Sequence, residues 1–247
     1  MDLTVVIPSV GLGAMLRACV ASLQHALAQQ PGLLAAIVVI DNGTQPPYRP
    51  EAVGDGVALL RFDVPRSYAR ACNGGARHRP ASRYLMLNND VFLTPESLRE
   101  MLALADDHPS AIVGARMVLA DDTIQHCGVR FDDGPRGPFH IHHGRPTSIV
   151  PRMPQRFQAV TGAAMLIPAA LFDRLGGFDE AYPFGYEDVD LCLRAGQLGA
   201  PILCAQAHDS LHLESMSNRR PDRHAASRKL FFERWRGRYA IDGDRSQ

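Results

Sequence analysis

Short apolar runs alternate with stretches of helical periodicity through the first half of the chain. Four apolar runs, each followed by a turn-forming or polar residue, predict buried strands. These runs are residues 3–7, 36–40, 57–62 and 84–87. Helical spacing predicts amphipathic helices over residues 15–27 and 68–76, and Thr94-Pro95-Glu96 supplies the start of another. Apolar strands separated by helices indicate an α/β fold with a mostly parallel sheet covered on both faces.

The pattern changes past residue 110, where strands follow one another without a long helix between them. Apolar runs predict strands over residues 111–118, 124–131 and 159–167, then a short helix and a helix that starts near Glu187. Residues 132–154 are rich in glycine, proline and histidine and show no periodicity. We therefore predict a mobile active-site loop there.

The 247 residues suffice for one large α/β domain, and no internal repeat or linker divides them. Within this domain we expect residues 218–247 to form a basic C-terminal tail or helix. The 26 basic and 26 acidic residues balance, so the chain has no overall field to recruit nucleic acid. Nucleic acid is therefore not an expected partner.

Cysteine usage and the N-terminus indicate the compartment. The five cysteines are scattered and form no CxxC pair, which suits reduced thiols. Asp2 interrupts the N-terminus, and residues 4–8 are too short for the apolar core of a signal peptide. No apolar stretch reaches the roughly 20 residues of a membrane-spanning helix. We expect a cytoplasmic protein.

A polar triplet, Asn88-Asn89-Asp90, stands directly behind the apolar strand at residues 84–87. This position delivers the Asp90 carboxylate to the C-terminal edge of the sheet, where open α/β sheets bind ligands. A carboxylate there can hold a hard divalent cation, and such cations commonly bridge a protein carboxylate to a substrate phosphate. A plain turn is the alternative, since Asn and Asp also suit a strand end. The triplet alone leaves both interpretations open.

Further short segments extend this signal along most of the chain. They are Val6-Ile7-Pro8, Val39-Ile40-Asp41-Asn42-Gly43, Asn73-Gly74-Gly75, Leu87-Asn88-Asn89-Asp90, Thr161-Gly162-Ala163, Gly176-Gly177-Phe178-Asp179-Glu180, Glu187-Asp188-Val189-Asp190-Leu191 and residues 212–217. In this order and spacing they resemble the family 2 glycosyltransferases of the GT-A fold, particularly the rhamnosyltransferase-like branch. The resemblance implies a Rossmann-like, mostly parallel sheet with helices on both faces and a small antiparallel extension on the acceptor side. It also implies a nucleotide-binding half (residues 1–110) and a sugar- and acceptor-binding half (residues 111–217).

The same resemblance implies an activity. It implies a metal-dependent, inverting transferase that moves a sugar from a UDP- or dTDP-sugar to a hydroxyl of a glycan, lipid-linked or other acceptor. The implied setting is the synthesis of bacterial polysaccharide or another glycoconjugate. The implied cofactor is Mn²⁺ or Mg²⁺, which would stabilise charge on the departing diphosphate.

The resemblance assigns Asp90 and His212 to the metal, and an imidazole ligand favours Mn²⁺ over Mg²⁺. The alternative for His212 is a hydrogen-bonded core histidine. The base that takes the acceptor proton is assigned to the Glu187-Asp188 pair, with Asp188 favoured because a helix N-terminus stabilises and orients its carboxylate. Glu187 remains a competitor, and acidic residues also occur in first helical turns only for the helix dipole.

Nine further residues are assigned to the nucleotide or the donor sugar. They are Pro8, Ser9, Asp41, Asn73, Gly75, Asn88, Asn89, Gly162 and Ala163. Asp41 is expected to accept a hydrogen bond from the N3–H of uracil or thymine. Asn73 and Gly75 are expected where the chain approaches the nucleotide closely. Gly162 and Ala163 are expected to form a wall with little side-chain bulk beside the transferred sugar.

Several charged residues have two interpretations. Arg66 and Arg70 are either phosphate contacts or solvated arginines, with neither favoured. His140, His142 and His143 could bind a transition metal, but their spacing matches no metal motif, and we favour a flexible loop.

The basic tail mixes arginines with aromatic residues such as Phe231 and Trp235. It could dock on anionic lipid at the inner face of a membrane if the acceptor is membrane-linked. It could instead be a terminal helix whose aromatic residues pack on the domain, and we favour this interpretation.

Two other functions are consistent with parts of the sequence. A sugar nucleotidyltransferase would need a glycine-rich phosphate loop with an early Arg and Lys, whereas Gly11-Leu12-Gly13 is a faint match and no lysine precedes Lys229. A non-catalytic module that binds a sugar nucleotide or glycan is the second alternative. The joint presence of Asp90, Asp188 and His212 argues against it.

Overall fold

The computed structural model describes residues 1–134, 137–214 and 221–243. Its main helices and strands follow in chain order. They are β1 (Leu3–Ser9), α1 (Gly13–Ala28), β2 (Ala35–Asn42), β3 (Val57–Phe62), α2 (Tyr68–His78), β4 (Arg83–Leu87), β5 (Val91–Phe92), α3 (Pro95–Asp107), β6 (Ile112–Val118), β7 (Ile124–His126), β8 (Val129–Arg130), β9 (Phe139–His140), β10 (Gln155–Phe157), β11 (Ala164–Pro168), α4 (Ala169–Arg174), α5 (Glu187–Gln197), β12 (Ile202–His212) and α6 (Pro221–Trp235). Short 3₁₀ turns lie at Pro50–Ala52 and Thr147–Ile149.

Within the described residues, ten strands form one sheet. Its main path is β10-β12-β6-β11-β4-β1-β2-β3, with β5 paired to β12 and β7 to β6. β4, β1, β2 and β3 are parallel, as are β12 and β6. β11 lies antiparallel between β4 and β6, and β8 and β9 form a small antiparallel sheet. The predicted α/β class with a mostly parallel sheet is therefore confirmed.

Each central strand contributes to two hydrophobic cores, because successive side chains point to opposite faces of a sheet. In β1, Val5 and Ile7 pack in the core that contains residues of α1 and α3. Val6 packs in the core on the other face, which contains residues of α2, α4 and α5. All three side chains are fully buried. This two-sided burial explains why Val5, Val6 and Ile7 follow one another without alternating polar residues.

The second half differs from the prediction at three strands. The predicted strand 124–131 is divided into β7 and β8 at Gly128, whose φ is 128° and where a Cβ would lie 2.3 Å from the Phe157 ring. The predicted strand 159–167 begins only at Ala164, because residues 161–163 lie in a turn region. The sequence pattern predicts no strand at β12, although residues 202–205 form an apolar run.

The described part of the segment 132–154 is tied to the domain. β9 pairs with β8, and Ile141 is buried. The fully buried Arg116 of β6 donates to the Thr147 carbonyl at 2.6 Å and pairs with Asp209 at 2.7 Å. The regular elements of this segment, among the residues described, are β9 and the 3₁₀ turn at Thr147–Ile149, so the predicted loop is anchored to the domain at these contacts and its mobility stays a prediction. Residues 135 and 136 lie outside the described residues.

The C-terminal helix α6 packs against the domain through its aromatic side. Phe231 is fully buried and Trp235 is 5% exposed, in agreement with the interpretation favoured from the sequence. Arg223, Arg236 and Arg238 are exposed, whereas Ser217, Arg219 and Arg220 lie outside the described residues. In the part of the chain that the structure covers, no helix is both long and apolar enough to cross a bilayer.

Two helical glycines give a test of how closely α2 packs on the sheet. A Cβ at Gly75 in α2 would lie 2.4 Å from Val6 Cγ1, whereas nothing lies within 4 Å of the same position at Gly196 in α5. We expect Gly75→Ala to lower the free energy of unfolding by about 1–3 kcal/mol, because overpacking outweighs the gain in helix propensity. Gly196→Ala should leave it unchanged or raise it by up to about 1 kcal/mol. Urea unfolding measures both, and equal effects would contradict the close packing of α2.

Candidate active site

The C-terminal ends of the parallel strands β1, β2 and β4 meet at one edge of the sheet, where the site is predicted. Asp90 follows β4, and His212 ends β12, whose antiparallel pairing with β5 sets His212 opposite Val91. His212 Nε2 lies 3.3 Å from Asp90 Oδ1, and both residues are 6% exposed. The structure thus brings together, from opposite halves of the chain, the two residues assigned to a metal.

The donor atoms of this pair fit a divalent cation. A carboxylate oxygen and an imidazole nitrogen both suit Mn²⁺, and His212 Nδ1 is buried with no hydrogen-bond partner among the described residues. Where side chains are described, no group of three or more His, Cys, Asp or Glu residues is arranged to hold a metal ion. A cation at Asp90 and His212 would therefore take its other ligands from substrate phosphate and water, as hard cations do in phosphate-binding sites.

Asp188 lies in the first turn of α5, at the same edge of the sheet. Its Oδ2 accepts a hydrogen bond from the Gly162 amide at 2.8 Å, and its Oδ1 accepts from the Val189 amide at 2.8 Å. The Gly162 carbonyl in turn accepts from the Tyr68 hydroxyl at 2.7 Å. Asp188 is half-buried, so it is oriented by the protein and still partly exposed to solvent.

Glu187 has a different environment from its neighbour. It is 6% exposed, and its Oε2 has no hydrogen-bond partner among the described residues. Burial, together with the charge of Asp188, raises the pKa of Glu187 from 4.5 to about 8. A carboxyl group that keeps its proton at neutral pH cannot accept another from a substrate. The geometry therefore favours Asp188 over Glu187 as the base.

Asp190, the third acid of this turn, supports the structure of the domain. Its Oδ1 accepts from Trp235 Nε1 at 2.8 Å and from the Tyr182 hydroxyl at 3.2 Å. Its Oδ2 accepts from Arg194 Nε at 2.7 Å. These contacts join α6 to the helix that carries Asp188.

Asp41 is fixed by hydrogen bonds at the end of β2. Its side chain is fully buried, and it accepts hydrogen bonds from the Thr44 amide at 2.9 Å, the Tyr48 amide at 3.1 Å and Arg61 Nη1 at 2.5 Å. Burial alone would raise the pKa of this carboxyl, but the hydrogen bonds from Thr44, Tyr48 and Arg61 lower it below the ordinary value. These contacts hold the loop after β2, and a direct contact between Asp41 and a base stays a prediction.

Asn73 and Gly75 both make contacts within the protein. Asn73 is buried, donates to the Phe178 carbonyl at 2.9 Å and accepts from the Phe178 amide at 3.0 Å. Gly75 is buried where α2 approaches Val6. Asn73 therefore holds the loop that contains Phe178 and Gly75 permits helix–sheet packing, while their contacts with a nucleotide stay a prediction.

The remaining residues assigned to the nucleotide or the donor sugar lie at the predicted edge of the sheet. Ser9 ends β1, and its hydroxyl accepts from Asn89 Nδ2 at 2.8 Å, while the half-buried Pro8 precedes it in the strand. The Asn88 amide donates to the Ala163 carbonyl at 2.8 Å, which joins the segment 88–90 to the Gly162–Ala163 turn. Tyr48, whose hydroxyl lies 2.9 Å from Ser9 Oγ, belongs to this group but carries no signal in the sequence.

Arg66 and Arg70 differ in their contacts. Arg70 pairs with Glu180 at 3.0 Å, and the Arg66 amide donates to Asn42 Oδ1 at 2.8 Å, while Arg66 is exposed. The two interpretations of these arginines, phosphate contact or solvated side chain, both stay open. His143 lies 3.3 Å from Glu214, at the protein surface.

His140 is part of a histidine pair that the sequence does not indicate. Its ring lies 4.7 Å from that of His126 in a T-shaped contact, and its Nδ1 lies 3.2 Å from the Gln125 carbonyl. His126 is fully buried, and its Nε2 accepts from the Thr161 amide at 3.4 Å. Burial lowers the pKa of both histidines, so they are neutral at neutral pH. The favoured interpretation of a flexible loop is therefore wrong for His140.

Comparison with known proteins supports the family resemblance that the residue motifs indicate. A family model described as Glycosyl transferase family 2 matches residues 4–159. The O-antigen biosynthesis protein RfbC of Myxococcus xanthus is 27% identical over 197 residues, which cover 74% of this chain. Those residues make up 15% of RfbC, so the chain spans only a small part of that relative.

Two solved structures confirm the GT-A fold. GalNAc-T7 with UDP, GalNAc and Mn²⁺ aligns with a TM-score of 0.70 and 15% identity, covering 95% of this chain and 49% of that one. The mannosyltransferase PcManGT from Pyrobaculum calidifontis, in complex with GDP-Man and Mn²⁺, aligns with a TM-score of 0.62 and 16% identity, covering 88% and 58%.

The raised pKa of Glu187 makes stability depend on pH. Between about pH 4.5 and 8 the folded state keeps a proton that the unfolded state releases, so the free energy of unfolding falls as pH rises. Glu187→Gln removes the ionisable group, and we expect it to be more stable than the parent at the upper end of this window, with the difference shrinking toward the lower end. Urea unfolding at both ends measures this. Glu51→Gln, at an exposed position, is the control, and a Glu187→Gln difference that stays constant with pH would contradict the assignment.

Proposed function

The chain belongs to glycosyl transferase family 2 and is a glycosyltransferase, and we propose that it is a metal-dependent, inverting enzyme that moves a sugar from a UDP- or dTDP-sugar to an acceptor hydroxyl. One observation carries this proposal: the buried Asp90–His212 pair and the half-buried Asp188 lie on either side of one turn. Ala163 of that turn accepts from the Asn88 amide, and Gly162 donates to Asp188. A cation site and a base therefore border the same space.

Each group has a defined task in such a transfer. Asp90 and His212 would hold a divalent cation, which stabilises the negative charge that develops on the departing diphosphate. Asp188 would accept the proton of the acceptor hydroxyl while the acceptor oxygen bonds to the anomeric carbon and the bond to the diphosphate breaks. Attack opposite the leaving group inverts the configuration. The Gly162 and Val189 amides fix the orientation of Asp188 for this step.

The donor and acceptor classes belong to the proposal. GalNAc-T7 was solved with UDP and PcManGT with GDP-Man, and we favour UDP or dTDP because of the family branch that the sequence resembles. The name of RfbC, an O-antigen biosynthesis protein, supports a polysaccharide or other glycan acceptor, including a lipid-linked one. The exposed Arg223, Arg236 and Arg238 would let the enzyme contact anionic lipid at the inner face of a membrane.

Nucleotide binding should depend on the metal. We expect UDP or dTDP to raise the melting temperature more than GDP or CDP, and to do so only with Mn²⁺ or Mg²⁺ present, because a ligand that binds the native state stabilises it. A thermal-shift panel of the four nucleotides with and without each metal measures this. Asp90→Asn should abolish the metal-dependent part of the shift. A shift of equal size in the presence of a chelator would contradict the role of Asp90.

Transfer should depend on Asp188 and much less on Glu187. We expect Asp188→Asn to lower kcat by about 100-fold or more, because general-base catalysis contributes on that scale, with nucleotide affinity nearly unchanged. Glu187→Gln replaces a protonated carboxyl with an amide of the same shape and should keep most of the activity. A sugar-transfer assay on both variants compares them. The opposite ranking would make Glu187 the base, and no transfer by the parent with any donor would favour a non-catalytic binding module.

A further inference from the structure

The Tyr48 hydroxyl lies in a chain of hydrogen bonds that joins three loops at the edge of the sheet. Asn89 Nδ2 donates to Ser9 Oγ at 2.8 Å, and Ser9 Oγ lies 2.9 Å from the Tyr48 hydroxyl. Tyr48 donates its only hydroxyl hydrogen to the Gly11 carbonyl. Ser9 Oγ also donates to the Gly11 carbonyl, at 3.4 Å, so Asn89, Ser9, Tyr48 and Gly11 form one hydrogen-bonded network.

Gly11, which accepts from Tyr48, lies in a constrained stretch of backbone. Gly11 and Leu12 have φ values of 64° and 57°, and a left-handed conformation is costly for leucine. The Gly11 amide donates to Thr44 Oγ1 at 3.0 Å, so residues of the loop after β2 hold Gly11 at both its amide and its carbonyl. The strained turn between β1 and α1 is therefore held by Thr44 and Tyr48.

Tyr48 is itself fixed by contacts of its backbone amide and its ring. Its amide donates to the buried Asp41 carboxylate, and its ring packs near Gly13 at the start of α1. At the other end of this chain of hydrogen bonds, Asn89 immediately precedes Asp90, which faces His212. A shift of the Tyr48 hydroxyl would thus be transmitted through Ser9 and Asn89 to the residue assigned to the cation.

We propose that Tyr48 is a positioning residue that couples the nucleoside side of the site to the cation side, so that nucleotide and metal strengthen each other's binding partly through its hydroxyl. The inference rests on the proposed function, since it takes Asp90 as a cation ligand and the ends of β1 and β2 as the nucleotide site. Tyr48 would contact neither the nucleotide nor the metal ion. It acts by fixing Ser9 and Asn89 at the same time.

The test is a thermodynamic coupling measured by calorimetry. Mn²⁺ affinity is determined without nucleotide and with saturating UDP or dTDP, whichever gives the larger thermal shift, and the ratio of the two dissociation constants is the coupling factor. We expect Tyr48→Phe to lower this factor by about three- to tenfold, the scale of one lost hydrogen bond. Binding of Mn²⁺ to the nucleotide in solution is the same for every variant, so it cancels in the comparison.

Two further variants separate coupling from general damage. Tyr84→Phe removes a hydroxyl from a buried residue of β4, the strand that leads to Asn88, but near its opposite end, and it should leave the coupling factor unchanged. Ser9→Ala breaks the same chain as Tyr48→Phe. The double variant should therefore show little further loss, because the two changes remove one continuous path.

The outcomes distinguish the inference from the proposed function. If the parent shows no coupling between Mn²⁺ and either nucleotide, the proposed function and the inference both fail. If the parent shows coupling and Tyr48→Phe keeps it, or if Tyr84→Phe lowers it equally, only the positioning role of Tyr48 fails. Additive losses in the double variant would also overturn it, because they would mean that Ser9 and Tyr48 act independently.

Discussion

The carboxylate of Asp41 is fully buried, and a buried carboxylate is stable only when hydrogen bonds or an opposite charge compensate for the lost water. The amides of Thr44 and Tyr48 and the guanidinium of Arg61 provide that compensation. They can do so only if the loop after β2 folds back over Asp41. The same loop conformation sets Tyr48 against Ser9 and Thr44 against Gly11. The arrangement of the loops after β1 and β2 therefore depends on this one buried charge.

Burial also gives adjacent acids of α5 different chemistry. Glu187 is buried and has a raised pKa. Asp188 is half-buried and accepts from the Gly162 amide. Asp190 accepts hydrogen bonds from Trp235 and Arg194. The three residues belong to one helical turn, where acidic residues suit the dipole. Their side chains leave the helix in different directions, and this alone decides which of them can meet a substrate.

The antiparallel strands bring the second half of the chain to the edge that the first half defines. β11 runs opposite to β4, so β11 begins where β4 ends, and the Gly162–Ala163 turn lies next to Asn88. β12 ends against β5, which sets His212 beside Asp90. The reversal of strand direction at β11 therefore brings the turn that contacts Asp188 beside Asn88, and the end of β12 brings His212 to the same edge.

The sequence by itself determined the features whose signal lies within a few neighbouring residues. These are the apolar strands of the first half, the capped helix after Thr94, the acid after β4 and the acidic pair at the start of α5, and the ordered motifs together indicated the family. Tertiary structure decided the rest. No local pattern shows that Asp41 and Asn73 form hydrogen bonds within the protein, or that Gly75 faces Val6. Nor does any local pattern show that His126 and Tyr48 support the site. The physical reason is that hydrogen-bond satisfaction and burial depend on groups far apart in the chain, and these groups meet only after the sheet has formed.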